Sequence, residues 1–353
     1  MSKINYSFGE RFLHRLALEK PWIGQISLDL ELLAFGKGDL GSGDQPVFIS
    51  GLARAGTTIL MRTFYDTGIF RSITYRDMPF VLMPGIWKRL SRIFHQQEAL
   101  KERAHGDGVF VNFDSPEAFE EIFWRTFCAD DYIFENHLRP HHINQEVISL
   151  FQAFVSQVVL SADDPKQRRY LSKNNNNILR LGTIRRAFPE GLILIPFRDP
   201  VQQSISLLQQ HIKFCNINAK DHFASDYMRW LGHHEFGATH KPFWFDNDFS
   251  IFDPEYGSHN VHYWLAIWCS AYSYILKLAP SGSLFVNFEE LCRIPEVILK
   301  NLFNKAGLSS KAWTIAEKIK APEFKTADNI NEELRSQANS VHRKLLAKAV
   351  QRF

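Results

Sequence analysis

The sequence predicts an α/β protein, a central parallel sheet flanked by helices. Three stretches carry that expectation. Val47-Phe48-Ile49 is a short apolar run that feeds a glycine-bracketed turn, Gly51 to Thr58, and then a helix continuing through Ile59 to Tyr65. Gly191 to Phe197 is a run of continuous aliphatics, the mark of a strand buried on both faces, and it stops on Arg198-Asp199-Pro200 before a helical Val201 to Phe214. Ser283 to Phe288 repeats the pattern, with the amphipathic stretch Pro295 to Ala306 behind it. Strand, polar turn and helix in succession are what parallel sheets require.

The turn at 51–58 organises the rest. A strand running into such a turn brings backbone N–H groups and the positive end of a helix dipole to one point, where phosphate-like anions bind. The spacing of Gly51 and Gly56, with Thr58 after them, is close to the nucleotide P-loop G-x-x-x-x-G-K-[ST], but Thr57 stands where that motif has Lys. The cation lies inside the loop as Arg54. An ordinary ATPase is therefore disfavoured, and a different anionic donor is expected.

Composition sets the outer limits. With 353 residues, 45% apolar, 22% charged and a net charge of +3, the chain matches a globular protein and gives no reason to expect nucleic acid. Cys128, Cys215, Cys269 and Cys292 are widely spaced, without a C-x-x-C pair, so neither a zinc ribbon nor a disulfide framework is expected and a reducing compartment is favoured. Charges interrupt the first twenty residues, and no apolar run is long enough to span a bilayer; a cytoplasmic location without a transmembrane segment follows as an expectation. Phe8, Phe12 and Leu16 recur every fourth residue beside Arg11 and Arg15, a helix face that would dock on the core or lie on a membrane surface.

In order, residues 1–45 form an N-terminal helical extension in which Trp22 to Phe35 alternates loosely, followed by a flexible Gly36 to Asp44. Phe70 to Tyr75 reads as a second strand. Ligands in parallel sheets sit beyond the carboxyl ends of strands, so Asp77 is expected on the same rim as the turn. Pro84 to Arg103 reads as a basic helix ending at His105-Gly106. Ser115 and Pro116 give a helix start, Val147 to Leu160 a helix, Tyr170 to Asn174 a strand end, and the Asn174 to Asn177 run a polar turn. Ser206 falls about two turns into the helix after Arg198, where both can face one phosphate. Asn260 to Leu278 is helical, and 332–353 is a basic helical tail. Without a repeat or linker, 1–353 is expected to be one domain.

Four pieces, in order, resemble the PAPS-dependent sulfotransferase family, particularly its tyrosylprotein and bacterial carbohydrate branch. Gly51 to Thr58 is similar to the 5′-phosphosulfate loop. Arg198, with Ser206 eight positions later, resembles the 3′-phosphate motif. Tyr170 to Asn174 with Phe188-Pro189 resembles the Lys-bearing strand and Phe-Pro turn, and Val286 to Leu291 with Pro295 the late strand-to-helix segment. The resemblance spans about residues 47–306. It implies a P-loop NTPase-like sulfotransferase fold and transfer of the sulfuryl group of PAPS to a hydroxyl, releasing PAP. Arg54, Ala55, Gly56, Thr57, Thr58, Arg198 and Ser206 would hold the donor, and Arg54 and Lys173 would neutralise charge. No metal is demanded.

An attacking hydroxyl must lose a proton. The resemblance points to Asp77 as general base, where the tyrosylprotein branch carries the longer Glu; His105, in a Gly-flanked turn, is the second choice. His233-His234-Glu235 to His240 has H-E-x-x-x-x-H spacing, which does not make a helical zinc pair, and a structural or substrate-rim role is favoured. Lys325 is a possible further contact at the 3′ end. The expected acceptor is a carbohydrate, glycolipid or small hydroxylated molecule. Two other readings stay open: a P-loop kinase or NTPase, which would prefer ATP and Mg²⁺, and an inactive PAP-binding module.

Overall fold

In a computed structural model, the protein is described over residues 8–38, 41, 44–91, 101–102, 110–111, 118–164, 166–245, 256–308, 319, 323–326 and 330–350. Its centre is a five-stranded sheet, β1 (Val47–Ile49), β2 (Phe70–Arg71), β5 (Arg169–Lys173), β6 (Leu192–Phe197) and β7 (Leu284–Asn287), in the order β2-β5-β1-β6-β7. Every pairing is parallel. A separate antiparallel ribbon joins β3 (Lys101–Glu102) to β4 (Phe110–Val111), so the single helix expected over 84–103 is not formed: α4 ends at Ser91 and residue 101 is already strand.

Alternation along the strands separates two cores. Phe48, Tyr170, Ile193, Ile195 and Phe285 face one side, with α5 (Glu121–Tyr132), α6 (Gln145–Leu160), α7 (Leu181–Ala187), α8 (Pro200–Asn218), α10 (Val261–Leu278) and α13 (Glu332–Lys348). Val47, Ile49, Leu171, Leu194 and Val286 face the other, with α3 (Thr57–Tyr65), α11 (Phe288–Arg293) and α12 (Pro295–Lys305). Being covered on both faces, the strands need continuous apolar runs, which is why they were legible. The N-terminal extension folds as α1 (Phe8–Leu18) and α2 (Pro21–Phe35). The loose alternation over 22–35 hides a helix because α2 is apolar on two faces: Leu28 is buried, whereas Trp22, Ile26, Leu30 and Leu33 are exposed. Glu31 of α2 accepts hydrogen bonds from Gly85 N (2.6 Å) and Ile86 N (3.0 Å), placing a carboxylate at the start of α4 (Pro84–Ser91). Among the described residues, no helix is long and apolar enough to cross a membrane.

One buried polar network fixes the rim above β5. Glu121 is fully enclosed and accepts from both nitrogens of Arg180 at 2.8 and 3.2 Å, from Tyr132 Oη at 2.5 Å and from Asn174 Nδ2 at 2.7 Å. Neighbouring Glu120 accepts from Tyr170 Oη (3.1 Å), Trp124 Nε1 (3.1 Å) and Asn177 Nδ2 (2.8 Å). The Arg180 guanidinium lies 4.8 Å from the ring centres of both Trp124 and Tyr132. Burial alone would push the Glu121 carboxyl up; the Arg180 charge and hydrogen bonds overcome this and hold it below the usual carboxylate range. Removing one partner strands the other charge in the interior. Glu121→Ala is therefore expected to lower unfolding free energy by about 3–5 kcal/mol, read from urea titrations of the variant and the parent.

Candidate functional site

Strand β1 ends at Ile49 and the chain turns at once, because Gly51 lies against β6: a Cβ there would stand 2.8 Å from the Pro196 carbonyl oxygen. Arg54 has φ +68° and Gly56 φ +87°, two left-handed residues two apart, which turn the loop's backbone N–H groups toward a common concavity before α3 begins at Thr57. A side chain at Gly56 would also collide with Phe288 at 2.4 Å. The loop thus forms a strand-to-helix turn, with Ala55 buried, Thr57, at the motif's lysine position, and Thr58 opening the helix, and Arg54 inside the turn.

Helix α8 holds this loop in place. Gln203 Nε2 donates to the Ala53 carbonyl at 2.9 Å and is itself oriented by Trp268 Nε1, 2.9 Å from its Oε1. One turn on, Ser206 Oγ accepts from Arg54 Nε at 3.0 Å. The loop grip and the strand-end grip thus meet. Arg198, one residue past β6, is nearly buried over the Phe288 ring (5.3 Å), and its Nε makes no hydrogen bond; the closest carboxylate is Glu289 at 3.6 Å. Burial pulls the Arg198 guanidinium below its ordinary value, with Glu289 opposing. A buried guanidinium nitrogen of this kind can donate to an anionic partner. Lys325 docks on the same helix, its backbone N–H on Gln202 Oε1 (2.9 Å) and its ammonium on Gln209 Oε1, one turn beyond Ser206. Lys173 closes β5 directly beside Ile49 of β1, so it stands on the same rim.

Asp77 is not brought to that rim. Strand β2 pairs only with the first residues of β5, Arg71 opposite Tyr170, and so stops about 10 Å short of the level of Lys173. The run expected as strand to Tyr75 instead breaks into a 3₁₀ turn, Tyr75–Asp77, capped by Asp77 itself. One Asp77 oxygen takes the Arg71 guanidinium at 2.5 Å; the other accepts from Thr74 N (2.7 Å) and Thr74 Oγ1 (3.1 Å). Arg71 also reaches Ser161, where α6 turns back toward the start of β5. Asp77 thus makes the cap and ion pair of a structural residue, with Arg71 as partner. His105 lies outside the described residues.

With this geometry the chain can be placed. The family model described as the sulfotransferase family matches residues 46–241. The chain belongs to the sulfotransferase family. Two solved sulfotransferases share the fold: STF9 from Mycobacterium avium, at 11% identity over 99% of this chain and 89% of that one, with a TM-score of 0.52, and STF1 from Mycobacterium tuberculosis H37Rv, at 12% identity over 94% and 85%, with a TM-score of 0.50. A comparison with curated proteins gives no match.

Two features of the sulfotransferase site escaped the sequence reading. Gln203 carries no motif, since only the fold brings it to the loop. The Asn174 to Asn177 run was legible as a turn, but its partners were not: Asn175 Nδ2 donates to Glu235 (2.9 Å) and Asn176 Nδ2 to the Gly232 carbonyl (3.0 Å), pinning the 231–243 segment beside the loop. The histidines of that segment do not converge on a metal. His233 contacts the Ala118 carbonyl (2.9 Å), His234 Nδ1 donates to the Thr239 carbonyl (3.0 Å), and His240 bridges the His234 carbonyl (3.1 Å) and Tyr263 Oη (2.8 Å). His211, Cys215 and His259 do offer three ligand atoms within 4.8 Å of one another. Gly237 N–H donates to His211 Nδ1 (3.2 Å), however, which leaves the ring proton on Nε2, directed at Cys215 Sγ (3.5 Å), and no lone pair for an ion.

Burial pulls His211 down to about 4 and His240 to about 3, from 6.5. The unfolded chain then binds more protons than the native one below pH 6.5, so native stability falls as the pH drops from 6.5 toward 4. At pH 5 each ring is expected to cost about 2 kcal/mol relative to pH 7.5, and His240→Gln should reduce that loss in urea titrations at the two pH values. Asp77→Ala is expected to lower stability by about 3–5 kcal/mol, by stranding Arg71, while the PAP dissociation constant measured by calorimetry stays unchanged.

Proposed function

We propose that this sulfotransferase moves the sulfuryl group of PAPS to the hydroxyl of an acceptor, carbohydrate, glycolipid or small molecule, and releases PAP. The observation that carries the reading is the buried Arg198 Nε without a hydrogen-bond acceptor, between the end of β6 and the helix α8 that carries Ser206, while Ser206 in turn touches Arg54 of the anion loop. A nucleotide that is anionic at both its 5′ and 3′ ends needs two grips on one sheet rim, and an ordinary nucleoside triphosphate needs only the loop.

In this reading Arg198 and Ser206 bind the 3′-phosphate, and Lys325 adds positive charge one turn away. The N–H groups of Ala55 to Thr58 and the start of α3 hold the 5′ end. Arg54 and Lys173 neutralise charge on the leaving phosphate oxygen as the sulfur–oxygen bond opens. Catalysis then comes mainly from positioning and electrostatic stabilisation, as in phosphoryl transfer. No metal ligand is assigned a role.

Charge-assisted hydrogen bonds contribute about 1.5–3 kcal/mol each. Arg198→Ala is accordingly expected to weaken PAP binding by about 10–100-fold, and Ser206→Ala by less, whereas adenosine 5′-phosphosulfate, which lacks the 3′-phosphate, should bind the parent and the Arg198 variant alike. Tighter binding of ATP with Mg²⁺ than of PAP would overturn the assignment. The comparison is made by isothermal titration calorimetry.

A further inference from the structure

We propose that Glu235 is the general base and that the acceptor hydroxyl it deprotonates sits on an apolar carbon skeleton. The inference rests on the donor reading above and deepens it. A cavity of about 30 Å³ abuts Leu52 and Ala53, the first residues of the anion loop, and is walled by Leu138, Leu207, Phe243, Trp264 and Ile267. Leu207 follows Ser206 in sequence, so the cavity opens against both donor-binding elements. Its polar lining is confined to Asn176, His234, Glu235, His240 and Lys241.

Among these, Glu235 is the group equipped to take a proton. Asn175 Nδ2 holds its Oε1 at 2.9 Å, and Asn175 is the second residue after Lys173, which places the carboxylate at the rim. Among the described residues its Oε2 accepts no hydrogen bond. Two of the other titratable groups are fully engaged. His240 uses both ring nitrogens, and Lys241 donates to the Phe134 and Glu135 carbonyls. His234 spends Nδ1 on Thr239, and burial lowers its affinity for a proton. Away from the cavity, Asp77 has both oxygens occupied below the rim, and Glu120 and Glu121 are satisfied inside the network. Asn176 adds an independent sign of a ligand: it is 2% exposed, lines the cavity, and leaves its Oδ1 without a hydrogen-bond partner. A buried amide oxygen of this kind accepts a hydrogen bond from something outside the fold.

The walls define the acceptor. The cavity admits the hydroxyl-bearing end of a molecule, and its non-polar walls, Leu138, Leu207, Phe243, Trp264 and Ile267, would meet the adjoining carbons. A ring carrying a hydroxyl on every carbon would leave those groups unpaired. An aryl or long-chain alcohol, or the lipid portion of a glycolipid, meets no such penalty. In the reaction, the acceptor oxygen forms a bond to sulfur while its proton passes to Glu235 Oε2. The bridging sulfur–oxygen bond breaks, and its electron pair stays on the 5′-phosphate oxygen facing Arg54 and Lys173. Glu235 later returns the proton to water.

The test uses 2-naphthol and 1-decanol as probes, methyl β-glucoside as the hydrophilic comparison and ³⁵S-labelled PAPS as donor, with PAP affinity measured separately by calorimetry. Labelling of a probe alcohol at least tenfold above the glucoside is expected. E235Q should lower kcat by about 10²–10⁴-fold with KM and PAP affinity unchanged, and E235D should recover part of the rate. Wild-type turnover by E235Q would overturn the role of Glu235. Preference for the glucoside, or PAP binding without labelling of either probe, would overturn the acceptor class. Absence of PAP binding to the parent protein would instead bring down the donor reading, and this inference with it.

Discussion

Two adjacent buried carboxyl groups, Glu120 and Glu121, are the constraint on which the rim depends. Ionised groups are tolerated in an interior only when every lone pair is used, and here the donors come from Trp124, Tyr132, Tyr170, Asn174, Asn177 and Arg180. Meeting that demand freezes the turn that follows Lys173. The first and last asparagines of the run face inward to the carboxylates, and the middle two face outward to Gly232 and Glu235. A four-residue turn therefore couples the interior of one core to the segment that closes the cavity beside the anion loop. The network is expensive in desolvation, and a wholly apolar turn would fold as well; what it supplies is one fixed geometry at the edge where chemistry is proposed.

The loop is held from the opposite side by an independent device. Gln203 and Ser206 lie three residues apart on α8, hence on one helix face, and contact Ala53 and Arg54 in the same order. Trp268 from α10 orients Gln203, and α10 packs extensively along α8. Loop position is thus set by helices that belong to the core rather than by the loop's own residues, which suits a turn carrying a non-glycine residue at φ +68°. Strained backbone persists where its surroundings over-determine it.

What was legible in the sequence follows from the range over which each feature is determined. The strand, turn and helix around the 51–58 loop, and the strand and helix on either side of Arg198, depend on neighbours within one strand-turn-helix unit, and both units were readable. Asp77 was misplaced because strand length is not local: Phe70 to Tyr75 has the composition of a six-residue strand, but Arg71 is drawn into a buried ion pair with Asp77, and pairing with β5 ends there. Within the helical extension expected over 1–45, the stretch 21–35 gave only a loose alternation for a related reason. Its outward face is as apolar as its inward one, so the amphipathic period that reveals a helix is absent. Glu120, Glu121 and Arg180 had no signal at all, since contacts across more than fifty residues select them only after the fold exists.

The contact between Arg54 and Ser206 ties these observations into one mechanism of occupancy. Each is a polar group on a different grip of the proposed donor site, and the two are hydrogen-bonded at 3.0 Å. Arg198 Nε makes no hydrogen bond and has Glu289, 3.6 Å away, as its counter-charge, while burial holds the guanidinium below its ordinary proton affinity. A 3′-phosphate would meet Arg198 first as the group with the most to gain. Its oxygens would then compete with Arg54 for Ser206, and a guanidinium displaced from Ser206 is left on a left-handed loop residue whose backbone already faces the 5′ end. In the proposed reading the two grips are one device: filling the distant one would free the cation that the reacting one requires, and a ligand without the 3′ group would leave Arg54 where it stands.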